Sequence, residues 1–451
     1  MAENLKQQQK EFTMRTLPGI CVLLTAPLFA LPLEAKQCEF TLSTPQPVLQ
    51  ADTKQTTSIK IAVKGFEMQS EKERAPLNIA LVIDRSGSMS GTKIERAREA
   101  AIQAIRRLDS RDIVSIVTFD NNIEVLVPAT KVTNREDIER KIRTIQPGGT
   151  TAIYAGVQKG AEEVQKFFES GCVNRIVLLS DGQANVGPSS PAELGELGRT
   201  LGGKGISVTT LGLGSGYNED LMARLASASD GNHKFIESAD ELAEIFQKEF
   251  NTALEVVAQD VRCVVTLPEG NRPVRALNGD ADINGQEVTF GWNQIYSNHE
   301  RFVMLEVEVP AMAEGRTLEL ATATLRYHNL ETKNTDNLSA RINVRFSSSE
   351  EQVKTAINKS VMEDYVELLG NLENKRAMEL RDRGDIEGAR RAFQSNFMSL
   401  QRSAEALGSE RLRRSGAMNA SQAEGVASPA WDTIRKDAVE QQNRIFIQQR
   451  Y

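Results

Sequence analysis

The chain has 451 residues, with 54 Lys and Arg against 61 Asp and Glu, and a formal net charge of −7. That length has room for two to four domains at roughly 150 residues each. The mild, mixed charge gives no sign of the strongly basic face that a nucleic-acid-binding protein needs, and no block of like charge marks a long acidic or basic tail.

Residues 1–35 read as a secretory signal peptide. Their apolar stretch, 20–33, follows Arg15 and precedes Glu34-Ala35-Lys36, and Pro27 and Pro32 interrupt it. It is shorter than the about 20 residues that span a bilayer, so cleavage after Ala35 is expected. Met14 is an alternative start, because 1–13 is a polar, Gln-containing prefix. No later stretch is long and apolar enough to cross a membrane, and the expected compartment is secreted or periplasmic. Cys21 would leave with the signal. Cys38, Cys172 and Cys263 remain without C-x-x-C spacing, which argues against a zinc site or a dense disulfide framework.

Residues 37–75 contain the alternating Ile59, Ile61 and Val63, the pattern of β-strands. From 76 to 252 the pattern changes. Runs rich in Val, Ile and Leu at 77–83, 113–119, 176–179 and 206–213 read as strands buried on both faces of a mostly parallel sheet. Ile94, Ala97, Ala101, Ile105 and Leu108 form a helical stripe, as do Val157, Ala161, Val164 and Phe168. Such stripes suit crossover helices. The run 123–127 follows the turn Asp120-Asn121-Asn122 and predicts an antiparallel edge strand. Ser238-Ala239-Asp240-Glu241 predicts a capping box opening a last helix through Phe250. The expectation is a doubly wound α/β domain.

Alternation returns in 253–348, at Val261, Cys263, Val265 and Leu267 and in runs at 288–292, 302–309, 318–327 and 342–346. About two strands before the α/β domain and about five after it make no satisfactory sandwich separately. The reading is one discontinuous antiparallel β-sandwich with the α/β domain inserted, since close termini make insertion cheap. Cys38 and Cys263 would then share one sheet system, and both a bridge and free buried thiols stay open. Residues 349–408 predict a helical hairpin. Its stripes are Val353, Ala356, Ile357, Val361, Tyr365, Leu368 and Ile386, Ala389, Ala392, Phe393, Phe397, Leu400, with Gly384 stopping one helix and Asp385 capping the next. Residues 409–451 read as a linker and tail, small and polar from Ser409 to Pro429, with the last twenty residues suited to a loose helix.

Three loops carry the chemistry. Asp84-Arg85-Ser86-Gly87-Ser88 follows the first α/β strand and offers a carboxylate and two hydroxyls on a tight turn, suited to a hard cation. Gly148-Gly149-Thr150-Thr151 and Ser180-Asp181-Gly182 follow in order. Each alone is an ordinary turn. Together, at the carboxyl ends of strands, they fall where open α/β sheets bind ligands.

In these motifs the segment resembles the von Willebrand factor A domain. The resemblance implies a metal-ion-dependent adhesion site of Asp84, Ser86, Ser88, Thr151 and Asp181, with Thr151 preferred to Thr150 by its spacing to the following helix. It implies Mg²⁺, with Mn²⁺ or Ca²⁺ as alternatives, and a partner protein whose Asp or Glu completes the metal shell. The arrangement is also similar to bacterial secreted proteins likened to calcium-activated chloride channel regulators. No catalytic role is expected, because H-E-x-x-H, G-x-S-x-G and P-loop motifs are absent and His233, His299 and His328 are scattered. The alternative is a scaffold or envelope-associated assembly factor in which the metal only stabilises a loop. Arg85 reads as a solvated rim charge or one that steers an acidic partner.

Overall fold

A computed structural model describes residues 37–68, 74–169 and 171–448, and the expected signal peptide lies outside these. Three short strands come first: β1 (Cys38–Ser43), β2 (Val48–Gln50) and β3 (Gln55–Gly65). Arg74 then grips Asp112 through two contacts of 2.8 Å, and the same carboxylate accepts the Leu77 amide at 2.9 Å, fixing the entry into the next domain.

That domain is built from β4 (Leu77–Asp84), α1 (Thr92–Arg107), β5 (Ile113–Phe119), β6 (Ile123–Lys131), α2 (Arg135–Ile142) and α3 (Ile153–Gln165). It continues with β7 (Val173–Ser180), α4 (Pro191–Gly203), β8 (Ser207–Leu213), α5 (Glu219–Ala228), β9 (His233–Ile236) and α6 (Leu242–Leu254). The sheet order is β6-β5-β4-β7-β8-β9, parallel except for β6, which runs antiparallel to β5. Every residue of β4 is buried. Its Ile79, Leu81 and Ile83 pack towards α1, α2 and α6, and its Ala80 and Val82 towards α3, α4 and α5. Each large aliphatic side chain so buried stabilises the fold by roughly 1.5–3 kcal/mol. The chain leaves β4 towards β5 and returns on its other side at β7, so a topological switch point lies beside β4.

The entry to α6 differs from the expected capping box. Ser238 accepts from the Asp240 amide and opens a single 3-10 turn, and the α-helix begins only at Leu242. The tighter turn spends the Ser238 hydroxyl one residue early, so the Glu241 reciprocity does not form. From α6 the chain passes into β10 (Val256–Thr266), β11 (Arg272–Ala276), β12 (Asp282–Asn284), β13 (Glu287–Tyr296), β14 (Glu300–Val309), β15 (Thr317–Asn329) and β16 (Thr335–Ser347).

Strands from both flanks share the two further sheets, ordered β1-β3-β14-β11 and β12-β13-β10-β15-β16-β2. Ile61 lies opposite Val303 in the first, and β2 runs parallel to β16 in the second. One core joins the sheets through Ile59, Ile61, Val63, Val303 and Leu305 against Val261, Val265, Leu325 and Val344. The insertion therefore stands, with three strands before the α/β domain and seven after it among the described residues. Cys38, Cys172 and Cys263 are buried and free, and burial pushes the Cys38 and Cys263 thiols up to about 12. At the junction Arg175 of β7 donates to Gln294 and Tyr296 of β13, both at 2.6 Å, and lies 3.8 Å from Glu249 of α6. Burial pushes the Glu249 carboxyl up to about 7.

The C-terminal part is α7 (Glu350–Thr355), α8 (Lys359–Asp382), α9 (Ile386–Leu407), α10 (Glu410–Gly425) and α11 (Trp431–Ile447). The hairpin forms as α8 and α9 and the expected tail helix as α11, whereas the expected linker of 409–429 is largely helical, as α10. Ser409 caps α10 by accepting the Leu412 amide at 3.1 Å. Buried Gly416, Asn419 and Ala423 let α10 approach closely, so its small, polar composition reflects helix packing. Asn396 of α9 donates to Asn374 at 2.8 Å, Asn419 at 3.1 Å and the Gly370 carbonyl at 2.8 Å, tying three helices together.

Helix α11 returns to the α/β domain. Arg435 bridges Glu219, Asp220 and Asp382, Lys436 meets Glu219 at 2.8 Å, and Glu440 takes Lys234 at 2.6 Å and the Phe235 amide at 2.8 Å. Among the described residues no helix is long and apolar enough to cross a membrane. Because Lys436 and Glu219 are both buried, Lys436→Met should cost about 3 kcal/mol in chemical denaturation. Adding Glu219→Gln should restore part of the loss, and strict additivity would contradict the assignment.

Candidate metal centre

Strand β4 ends in Asp84, whose side chain is fully inside the protein (0 % exposed). One carboxylate oxygen accepts the Ser86 amide at 2.7 Å and bends the chain into the first loop. The other accepts the Ser180 hydroxyl at 2.5 Å, across the β4–β7 boundary. A 3-10 turn at Gly87–Met89 and the left-handed Gly91 (φ 76°) then lead into α1. The turn brings the Ser86 and Ser88 hydroxyls within 3.0 Å of each other, and Ser88 donates to Asp181 at 2.7 Å.

The second loop is laced to the first by backbone. The Gly148 amide donates to the Arg85 carbonyl at 2.7 Å, and the Gly87 amide to the Gly149 carbonyl at 3.0 Å. Gly149 has φ 74°, and a Cβ there would stand 2.3 Å from the Asn121 side-chain oxygen, so only glycine fits. Thr151 is buried and Thr150 exposed. The Thr151 amide donates to the Asn185 side chain at 2.9 Å, while the Asn185 amide returns to the Thr151 carbonyl at 3.1 Å.

The third loop leaves β7 with Asp181 buried. A Cβ on Gly182 would lie 2.9 Å from the Thr151 hydroxyl and 3.5 Å from that of Ser88, so the missing side chain lets the loops converge. The structure thus brings Asp84, Ser86, Ser88, Thr151 and Asp181 into one cluster at the switch point. Two carboxylates and three hydroxyls are an all-oxygen set, suited to a hard cation and not to a thiolate-loving one. No group of three or more His, Cys, Asp or Glu able to hold a metal occurs among the described residues.

Comparison with known proteins bears on the domain that carries these loops. Residues 78–248 match the family described as von Willebrand factor type A domain. The chain carries a von Willebrand factor type A (VWA) domain. It is 27 % identical over 293 residues to an uncharacterized protein of Synechocystis sp., an alignment spanning 62 % of this chain and 68 % of that one. It is also 28 % identical over 213 residues to Escherichia coli YfbK, spanning 47 % of this chain but only 37 % of YfbK. A solved von Willebrand factor type A structure from Catenulispora acidiphila superposes with a TM-score of 0.71 at 16 % identity, covering 92 % of this chain and 97 % of that one. That likeness concerns the fold. VWA domains are in general protein-interaction modules and not enzymes.

Several residues around the VWA loops escaped the sequence reading. Ser180 was visible only as part of a turn, yet it orients Asp84. Asn185 pins the second loop from the third. Arg85 is not a free rim charge, since it pairs with Asp120 at 3.1 Å and Glu124 at 2.8 Å. Lys93, in the first turn of α1, places its ammonium on the second oxygen of Asp181. His233 is fully buried and its pKa falls to about 3 through burial, so it stays neutral beside Thr210.

Burial pushes the Asp84 carboxyl up to about 6, with the like charge of Asp181 adding to the rise and the Ser180 and Ser86 hydrogen bonds opposing it. Between its ordinary range and that value the folded state holds a proton that the unfolded chain has released. Stability is therefore fully present at low pH and lost as pH rises. In EDTA the unfolding free energy should fall by up to about 3 kcal/mol from pH about 4 to about 6. Asp84→Asn should flatten that slope, and an unchanged slope in the variant would contradict an origin in the Asp84 carboxyl.

Proposed function

We propose that the VWA domain captures an acidic side chain of a partner protein through a divalent cation held by Asp84, Ser86, Ser88, Thr151 and Asp181. The observation that carries this reading is the convergence of five oxygen-bearing side chains from three loops, only two of them carboxylates. Such a set, with only two anionic donors, leaves room in the oxygen shell of a divalent cation, and an incoming Asp or Glu is the natural complement. Mg²⁺ suits the donors best, with Mn²⁺ or Ca²⁺ as alternatives. The protein's own groups bind and orient: Ser180 and the Ser86 amide fix Asp84, and Asn185 fixes the Thr151 loop. A secreted or periplasmic setting goes with the reading, and partners from the cell envelope are the first to test.

A second reading has support in the ties between α11 and the α5–β9 side of the domain. There the protein is an assembly scaffold, and the cation only stiffens the loops. A pull-down from envelope extracts, with and without EDTA, separates the two when wild type is compared with Asp84→Ala. Capture through the metal predicts that EDTA and the substitution each reduce partner recovery at least about tenfold while circular dichroism is unchanged. The scaffold predicts a lower thermal midpoint with recovery little altered.

A further inference from the structure

Lys93 occupies an unfavourable place for a cation. It is the second residue of α1, where the exposed amides of the helix terminus carry partial positive charge. Its ammonium nevertheless rests on Asp181, whose side chain is fully buried, while Lys93 itself stays 36 % exposed. The other Asp181 oxygen accepts Ser88 at 2.7 Å, and the two oxygens of Asp84 are taken by the Ser86 amide and Ser180. Arg85 is turned away into Asp120 and Glu124. The fixed charges in contact with the cluster are therefore Asp84 and Asp181 against Lys93, one negative charge in excess.

We propose that Lys93 is a built-in counter-ion that sets the cation affinity of the cluster and makes metal and partner binding depend on each other. The proposal rests on the metal-dependent reading above. With its Asp84 and Asp181 carboxylates ionised, the cluster would neutralise a divalent cation unaided. With the lysine ammonium on Asp181, one positive charge is left over, so the cation is held weakly until an outside carboxylate supplies the balance. By linkage the cation and that carboxylate must tighten each other by the same factor. Lys93 reaches the cluster from its open side: its stem is part-exposed, and the facing Gly214 has no side chain, the position of an absent Cβ lying 3.9 Å from the Lys93 nitrogen.

Calorimetric titration of Mg²⁺ into the full chain, with Mn²⁺ followed by electron paramagnetic resonance, reads the effect directly. Lys93→Met should bind Mg²⁺ at least about tenfold more tightly than wild type, because a nearby positive charge is gone. Lys93→Arg, which keeps the charge, should stay close to wild type. Millimolar acetate, standing in for a partner carboxylate, should tighten Mg²⁺ binding to wild type and have little effect on Lys93→Met. Equal or weaker binding by Lys93→Met, or an equal response of both proteins to acetate, would overturn the counter-ion role and leave the metal reading standing. If neither wild type nor Lys93→Met binds Mg²⁺ or Mn²⁺, the metal reading fails and the counter-ion role with it.

Discussion

A carboxylate held inside the protein at the end of the central strand sets the arrangement of the three loops on which the candidate site depends. Asp84 has no exposure, and in a low-dielectric interior its negative charge is costly unless hydrogen bonds or a cation offset it. The Ser86 amide and Ser180 hydroxyl supply part of that compensation. The remainder is visible in the raised protonation range of the group. The first loop takes its shape from Asp84. The third loop is placed by Ser180, and the second is carried along by backbone bonds to Arg85 and Gly87.

The same strand decides where this chemistry can sit. Because β4 is covered on both faces, the cluster forms at its carboxyl end, at the point where the chain changes direction across the sheet. The flanking parts brace the domain at other points. Arg175 of β7 reaches the sandwich strand β13, and α11 braces the start of α5 through Arg435, Lys436 and Glu219. The VWA domain is thus set in a frame of sandwich strands and helices.

Much of this was legible in the residues. Buried parallel strands read as unbroken Val, Ile and Leu runs, and the three turn motifs stood at their ends. The alternation of Ile59, Ile61 and Val63 on one flank and of Val261 and Val265 on the other was enough to infer a shared sandwich. Less legible were features that depend on distant neighbours. Residues 409–425 looked like a linker because Gly416, Asn419 and Ala423 are small or polar. Those properties suit a helix that must approach α9 closely. Lys93 carried a faint signal, a cation in a helix's first turn, but its meaning required Asp181 beside it.

The sequence by itself determined the fold class, the inserted order of the domains and the identity of the five clustered oxygen-bearing side chains. Those properties are local: strand and helix periodicity, turn chemistry and the presence of Asp, Ser and Thr at strand ends. Tertiary structure added that Thr151, preferred by its spacing, is buried in the cluster while Thr150 is exposed. It also decided that Arg85 is spent on Asp120 and Glu124, that the cysteines stay unbridged, and that α11 closes back on the VWA domain. These outcomes turn on distances of a few ångströms between residues far apart in the chain. Charge pairing and burial act through space, and no local pattern records them.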